Sequence, residues 1–343
     1  MVAYQLGLLD QSPVLEGMSA AAALRETVTL AQYAEEWGYQ RFWVSEHHHN
    51  QRLAGSSPEV LAAYLLAKTH RIQIGSGGVM LQHYSPFKVA EVFHVLAGLE
   101  PDRVDLGIGK GSGGFPLTTE ALLYSRYPVK DRISFEEKFH FLNELLNNNI
   151  SRDSIFASLE ATPLPAQKPA CYLLGASVDS ACMAAQYQWN FVYKGFLQSD
   201  ARLLAEVSAR YKQIYPDGRF FLVVPAVAAA TAEAAQALVQ DYKAFKVHFN
   251  NGTTATVEGF DQAHAYGKAA ETGYEISEEE TNVIAGTPSQ VKQTLDYLHE
   301  QYEVDAFILH TPVQSTAERM QSIKLLSPKY MEQELETTLK TST

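Results

Sequence analysis

Cysteine is nearly absent: Cys171 and Cys182 are the only two in 343 residues. Two thiols cannot build a disulfide framework, which excludes the small stapled secreted folds and suits a reducing compartment. Basic charge is also scarce. With 27 Lys and Arg against 39 Asp and Glu, the net charge is −12. Such a chain has no electrostatic reason to seek nucleic acid or an anionic membrane surface, although a local basic spot can still hold a phosphate. No apolar run approaches the roughly 20 residues that span a bilayer. The opening Met1-Val2-Ala3-Tyr4 passes straight into a strand-like segment with no basic leader or apolar signal core. A soluble, cytoplasmic protein is expected.

Several chemical signatures are missing as well. There is no G-x-S-x-G nucleophile elbow, and no H-x-H follows the first strand as a metal-dependent barrel hydrolase would want. The first βα turn, Leu9-Asp10-Gln11-Ser12-Pro13-Val14, lacks the glycines that a dinucleotide-binding open sheet needs.

What is present is rhythm. Short apolar runs at 4–9, 41–44, 72–76, 104–108, 171–174, 191–193, 220–225 and 306–310 alternate with amphipathic stretches, the mark of parallel βα units. Helices are expected at 21–37, 58–69, 86–99, 133–147, 180–186, 201–211, 231–249, 288–302 and 316–325, the one at 288 opened by Thr287-Pro288. Eight strands suffice for a closed (β/α)8 barrel. With 46% hydrophobic residues the chain can fill its core. We expect one barrel domain over 1–343, with insertions at about 109–131 and 250–282, where the apolar period lapses.

In a barrel the C-terminal ends of the strands carry the chemistry. The second strand runs into Ser45-Glu46-His47-His48-His49. Histidine exchanges protons near neutral pH and a carboxylate can orient it. The cluster reads as catalytic or cofactor-contacting, as loop histidines satisfying hydrogen bonds, or as metal ligands. Only His47 and His49 share a direction in an extended segment. The third strand ends in Gly75-Ser76-Gly77-Gly78, either a close backbone approach to a ligand or a tight bulge. Gly107-Ile108-Gly109-Lys110-Gly111 follows the fourth strand and Gly175-Ala176-Ser177-Val178-Asp179-Ser180 the fifth. Backbone amides with a lysine can cradle an anion, and serines at a helix start can cap it or bind one. Cys171 falls in a strand pattern and Cys182 in a helix pattern, as inert core thiols would.

Taken together, Ala34-Glu35-Glu36-Trp37-Gly38-Tyr39, Arg41-Phe42-Trp43-Val44-Ser45-Glu46-His47-His48, Gly75-Ser76-Gly77-Gly78-Val79-Met80-Leu81 and Asp102-Arg103-Val104-Asp105-Leu106-Gly107-Ile108-Gly109 resemble the bacterial luciferase-like flavin-dependent monooxygenases. The resemblance is strongest over about 4–114. It implies a (β/α)8 barrel that binds reduced FMN at its C-terminal rim and uses O2 to oxidise a small organic substrate. A separate NAD(P)H-linked flavin reductase would supply the reduced FMN, and the assembly would be a homodimer. His47 matches the catalytic histidine and Glu46 the acid beside it. Gly77-Gly78 matches a non-prolyl cis peptide under the flavin ring. Lys110, Arg132, Ser177 and Ser180 match FMN phosphate positions, with Lys110 replacing an arginine and so offering a point charge instead of a bidentate fork. The rival readings are a deazaflavin-dependent hydride-transfer enzyme, a non-catalytic flavin-binding protein and a metal-dependent barrel hydrolase. The substrate is not written in the motifs.

Overall fold

In the computed structural model, which describes residues 3–111, 116–124, 133–195, 201–252, 254–270 and 272–332, eight parallel strands close into a ring. They are β1 (Gln5–Asp10), β2 (Arg41–Val44), β3 (Gln73–Ser76), β4 (Val104–Gly109), β5 (Ala170–Gly175), β6 (Asn190–Lys194), β7 (Phe220–Ala228) and β8 (Ala306–His310). β8 completes the barrel, with Ala306 opposite Gln5 of β1 on one side and Phe221 of β7 on the other. Every strand expected from the sequence is present, and the first and last are neighbours. The protein is a TIM barrel.

Strand alternation divides the side chains between two cores. Leu9, Trp43, Tyr172, Val192, Phe221 and Ile308 fill the lumen. Phe42, Ile74, Leu106 and Leu173 point outward and join the layer packed under the helices. Burying each large apolar side chain contributes about 1.5–3 kcal/mol. The foot of the lumen is polar instead. There Arg41 Nε lies 3.2 Å from Asp105 Oδ2, Trp43 Nε1 donates to the same oxygen at 2.8 Å, and Arg41 and Arg219 both donate to Gln5 Oε1. The Arg219 guanidinium also lies 4.9 Å from the Phe221 ring centre. At this end Arg41 is thus paired with Asp105, while Arg219 is held by the neutral Gln5 amide and the Phe221 ring.

β3 and β4 run closer than side chains allow. A Cβ on Gly75 would stand 2.2 Å from Asp105 O, and one on Gly107 would stand 2.1 Å from Ser76 O. Glycine is required there by space.

Helix caps follow the local chemistry. Thr287 caps the helix Pro288–Tyr302 in a reciprocal capping box with Gln290, and Ser134 does the same with Glu137 for Phe135–Leu146. The helix expected over 231–249 is cut short. It spans Ala232–Val239, and a strand, Ala244–Phe249, takes over. The reason is a change of period: Phe245, Val247 and Phe249 are buried in alternation with the more exposed Lys246 and His248. This strand pairs antiparallel with Thr254–Glu258 and Tyr274–Glu279. The helix Phe260–Ala269 contributes Ala263 to a small core of its own with Phe245, Val247 and Phe249. Part of the segment expected as an insertion at 250–282 is therefore a folded three-stranded layer. It sits at the barrel rim, since a Cβ on Gly259 would lie 3.4 Å from Arg52 Nη1 in the loop after β2. Within 109–131, Pro116–Leu122 is helical. Cys171 lies in β5 and Cys182 in the helix Val178–Gln186, both free and partly buried. Burial pushes the Cys171 thiol up to about 12. Among the described residues, no helix is long and apolar enough to cross a membrane.

Candidate active site

At the C-terminal end of β2 the chain leaves the barrel while keeping its alternation. Ser45 N–H donates to Asp10 O at 3.1 Å, extending the ladder by one step. Arg41 and Trp43 point into the lumen, so Ser45 and His47 follow on that side and Glu46 and His48 fall on the other. The hydrogen bonds obey this parity. Glu46 does not orient His47; its Oε1 accepts from His48 Nε2 at 2.8 Å and from the Tyr84 hydroxyl at 2.7 Å. Its Oε2 accepts from Met80 N–H at 3.0 Å. Burial and the Glu46 carboxylate push the Tyr84 phenol far up, so it stays a donor. Glu46 is almost fully buried and ties the β2 end to the segment after β3.

His47 stands on the mouth side, anchored by its backbone N–H to Gly55 O at 2.9 Å. Burial, and then the Lys194 charge, push its imidazole down to about 4, against a smaller opposing pull from Glu46. It is therefore neutral across the physiological range and able to accept a proton. His310, at the end of β8, is likewise pushed down to about 4, by burial and then Arg319. Arg319 pairs with Asp10 at 2.5 Å, and Asp10 also accepts from Thr27. His49 is exposed and adopts a left-handed φ of 52°. Among the described residues no three His, Cys, Asp or Glu side chains converge as metal ligands.

The peptide between Gly77 and Gly78 is cis, as the resemblance implied. Gly77 faces the lumen, since a Cβ there would stand 2.8 Å from Leu9 Cδ1 and 3.3 Å from Trp43 Cβ. Gly78 faces β4, where a Cβ would stand 2.6 Å from Gly107 O. Packing thus requires both glycines, Gly77 against Leu9 and Trp43 and Gly78 against the β4 backbone.

The loops after β4 and β5 are neighbours, because Gly109 pairs with Leu174. They bring Lys110, Ser177 and Ser180 onto one stretch of rim. Ser177 caps the helix Val178–Gln186 by accepting from Ser180 N–H, and the two hydroxyls are 3.0 Å apart. A Cβ on Gly109 would meet nothing within 4 Å among the described residues, leaving open space among them at the end of β4. Amide donors, hydroxyls and open room fit a phosphate. The Lys110 ammonium is turned away from it, 2.7 Å from Glu136 and 5.5 Å from the Phe135 ring centre. Both partners of that pair are exposed, and such a surface pair is worth only about 0.2–1 kcal/mol, so an incoming phosphate can displace it. Arg132 lies outside the described residues.

Lys194 also belongs to the mouth and was not among the expected site residues, whereas Ser45 stands in the polar run after β2 that was. The strand expected at 191–193 runs one residue further, to Lys194. Lysine two residues beyond the buried Val192 is the signal that would have exposed it. Two hollows elsewhere, one lined by Gln236, Gln293 and Tyr297 and one by Ala234, Leu238 and Pro288, hold no histidine or lysine among the described residues.

Comparison with known proteins agrees with the fold. The family model described as luciferase-like monooxygenase matches residues 4–302. The N-acetyl-S-alkylcysteine monooxygenase of Bacillus subtilis (strain 168) is 40% identical over 327 residues, covering 94% of this chain and 97% of that protein. The crystal structure of apo-MsnO8 superposes with a TM-score of 0.76 at 29% identity, covering 96% of this chain and 98% of that one. The oxygenating constituent of 3,6-diketocamphane monooxygenase from Pseudomonas putida, in complex with FMN, shares the fold at a TM-score of 0.68 and 17% identity, covering 96% and 98%. With the match running from β1 to the last helix before β8, the chain belongs to the luciferase-like monooxygenases.

Proposed function

We propose that the protein is an FMN-dependent monooxygenase whose substrate is a thioether of the N-acetyl-S-alkylcysteine class. The substrate class is taken from the relative that is 40% identical along nearly the whole chain. The observation that carries the cofactor assignment is the continuity of one rim: the cis Gly77-Gly78 peptide after β3, the neutral His47 after the neighbouring β2, and the Ser177–Ser180 helix start two strands further round. Gly77-Gly78 would back the ring system. Ser180 and the free amides of its helix would hold the phosphate, with Lys110 turning from Glu136 to join them. Reduced FMN supplies two electrons, so that one atom of O2 enters the substrate and the other leaves as water. His47, neutral at working pH, holds and returns the proton that this water requires. The apolar walls formed by Leu9, Leu174 and Val223 exclude bulk water. A separate NAD(P)H-linked reductase delivering FMN in its reduced form, and a homodimeric assembly in the cytoplasm, complete the reading.

The test is cofactor choice. Purified protein titrated with FMN and with a deazaflavin should bind FMN more tightly. With a flavin reductase and NADH it should consume O2 in step with N-acetyl-S-benzylcysteine. Preference for the deazaflavin, with hydride transfer independent of O2, would replace this reading by the rival one.

A further inference from the structure

The three carboxylates that are fully buried among the described residues are Asp10, Glu46 and Asp105. Each is committed elsewhere. Asp10 is held by Arg319 and Thr27, Glu46 by His48, Tyr84 and the Met80 amide, and Asp105 by Arg41 and Trp43 at the foot of the barrel. Lys194 has no carboxylate partner among the described residues. It lies on the lumen side of β6, two residues beyond Val192, which packs in the lumen core. In register it stands opposite Val223, another lumen residue. This places its ammonium at the open end of the barrel, where its charge acts on His47. Ser45, on the same inward face of the β2 end, is 5% exposed, and its hydroxyl has no hydrogen-bond partner among the described residues.

Lys194 is half-buried, and burial pushes its ammonium down from the ordinary lysine range, so keeping the charge there is costly unless an anion meets it. Among the described residues no carboxylate meets Lys194, and a ligand can bring one. We infer that Lys194 is the substrate's counter-ion: it binds a carboxylate borne by the substrate, with the Ser45 hydroxyl as a further donor in the same mouth. This deepens the proposed function, since an N-acetyl-S-alkylcysteine carries one carboxylate and an otherwise neutral, largely apolar body suited to the walls around it. It makes Lys194 a selector of acids over neutral thioethers.

The test measures dissociation constants on the oxidised FMN-loaded protein, where no turnover occurs, for two matched pairs. One pair is N-acetyl-S-benzylcysteine and its carboxamide; the other is hexanoate and hexanamide, which lack sulfur. The wild type is expected to prefer acid over amide by about ten- to hundredfold, the worth of one charge-assisted contact. Lys194→Met should erase the preference, Lys194→Arg should keep most of it, and FMN affinity should be the same in all three proteins. The inference is overturned if the wild type shows no preference, if Lys194→Met retains it, or if Lys194→Met loses FMN affinity instead, which would give the lysine to the flavin. Lysine-dependent discrimination within the hexanoate pair, with no binding of the thioether pair, would uphold Lys194 and sink the thioether assignment. Equal binding of both thioethers, with turnover intact, would do the reverse.

Discussion

Glu46 Oε1 lies 2.8 Å from His48 Nε2, so the carboxylate beside His47 in sequence braces the next histidine along. The same carboxylate receives the Met80 amide just after the Gly77-Gly78 peptide. Its work is to join the ends of β2 and β3, which carry His47 and the cis Gly77-Gly78 peptide. Glu46→Ala leaves a buried hydroxyl, an amide and an imidazole without their acceptor. Each such orphan costs about 1–3 kcal/mol, so the melting temperature should fall and flavin affinity should weaken with it. Unchanged stability in Glu46→Ala would deny the bracing role.

His47 should behave in the opposite way. Its imidazole anchors little, while its backbone bond to Gly55 survives substitution. His47→Ala is expected to keep its melting temperature and FMN affinity yet lose turnover by about 10²–10⁴-fold, the usual worth of a positioned acid–base group. His48→Ala should instead lose stability, because it unpairs Glu46. Steady-state kinetics and thermal melts on the two variants separate these outcomes; parent-rate turnover by His47→Ala would remove it from the chemistry.

Acid should destabilise the fold through the same mouth. His47 and His310 titrate at about 4 in the folded chain, against an ordinary 6.5 when unfolded. Between those values the unfolded state binds protons that the folded state refuses, so stability is whole above about pH 6.5 and declines as the pH falls toward 4. At 1.36 kcal/mol per pKa unit, each histidine accounts for a loss on the order of 3 kcal/mol. In His310→Asn the decline of melting temperature from pH 7 to pH 4.5 should be shallower than in the parent. Parallel curves would mean that neither burial nor Arg319 depresses this histidine.

Lys110 faces a choice between Glu136 and a phosphate. Lys110→Ala should weaken FMN binding by about ten- to hundredfold and leave riboflavin, which has no phosphate, unaffected. Glu136→Gln frees the ammonium and should tighten FMN by a smaller factor. Calorimetric titration decides, and equal loss of both flavins in Lys110→Ala would show a structural defect.

Much of this was legible from spacing alone. The strands appear because parallel strands buried on both faces leave near-continuous apolar runs, and Arg41–Val44 and Ala306–His310 match the expected bounds residue for residue. The Thr287-Pro288 helix start was readable because capping is local chemistry. The strand Ala244–Phe249 was missed since it follows an alanine-rich helix without a glycine or proline between them, and its partners are antiparallel strands formed later in the chain. The partner of Glu46 was hidden for a different reason. Adjacency in sequence favours His47, whereas alternation in an extended segment assigns it His48. Lys194 carried a signal in its two-residue spacing from Val192, but only the strand register, which sets it opposite the lumen residue Val223, shows which side of the barrel that spacing faces.

The most direct measurement is isotopic. Protein loaded with photoreduced FMN is mixed with ¹⁸O2 and N-acetyl-S-benzylcysteine, and the product is weighed by mass spectrometry. One heavy oxygen atom per oxidised substrate, dependent on FMN and lost in His47→Ala, is the expected result. Oxidation of the flavin at the rate seen without protein, with no label in the substrate, would contradict monooxygenation of this thioether class by the barrel mouth.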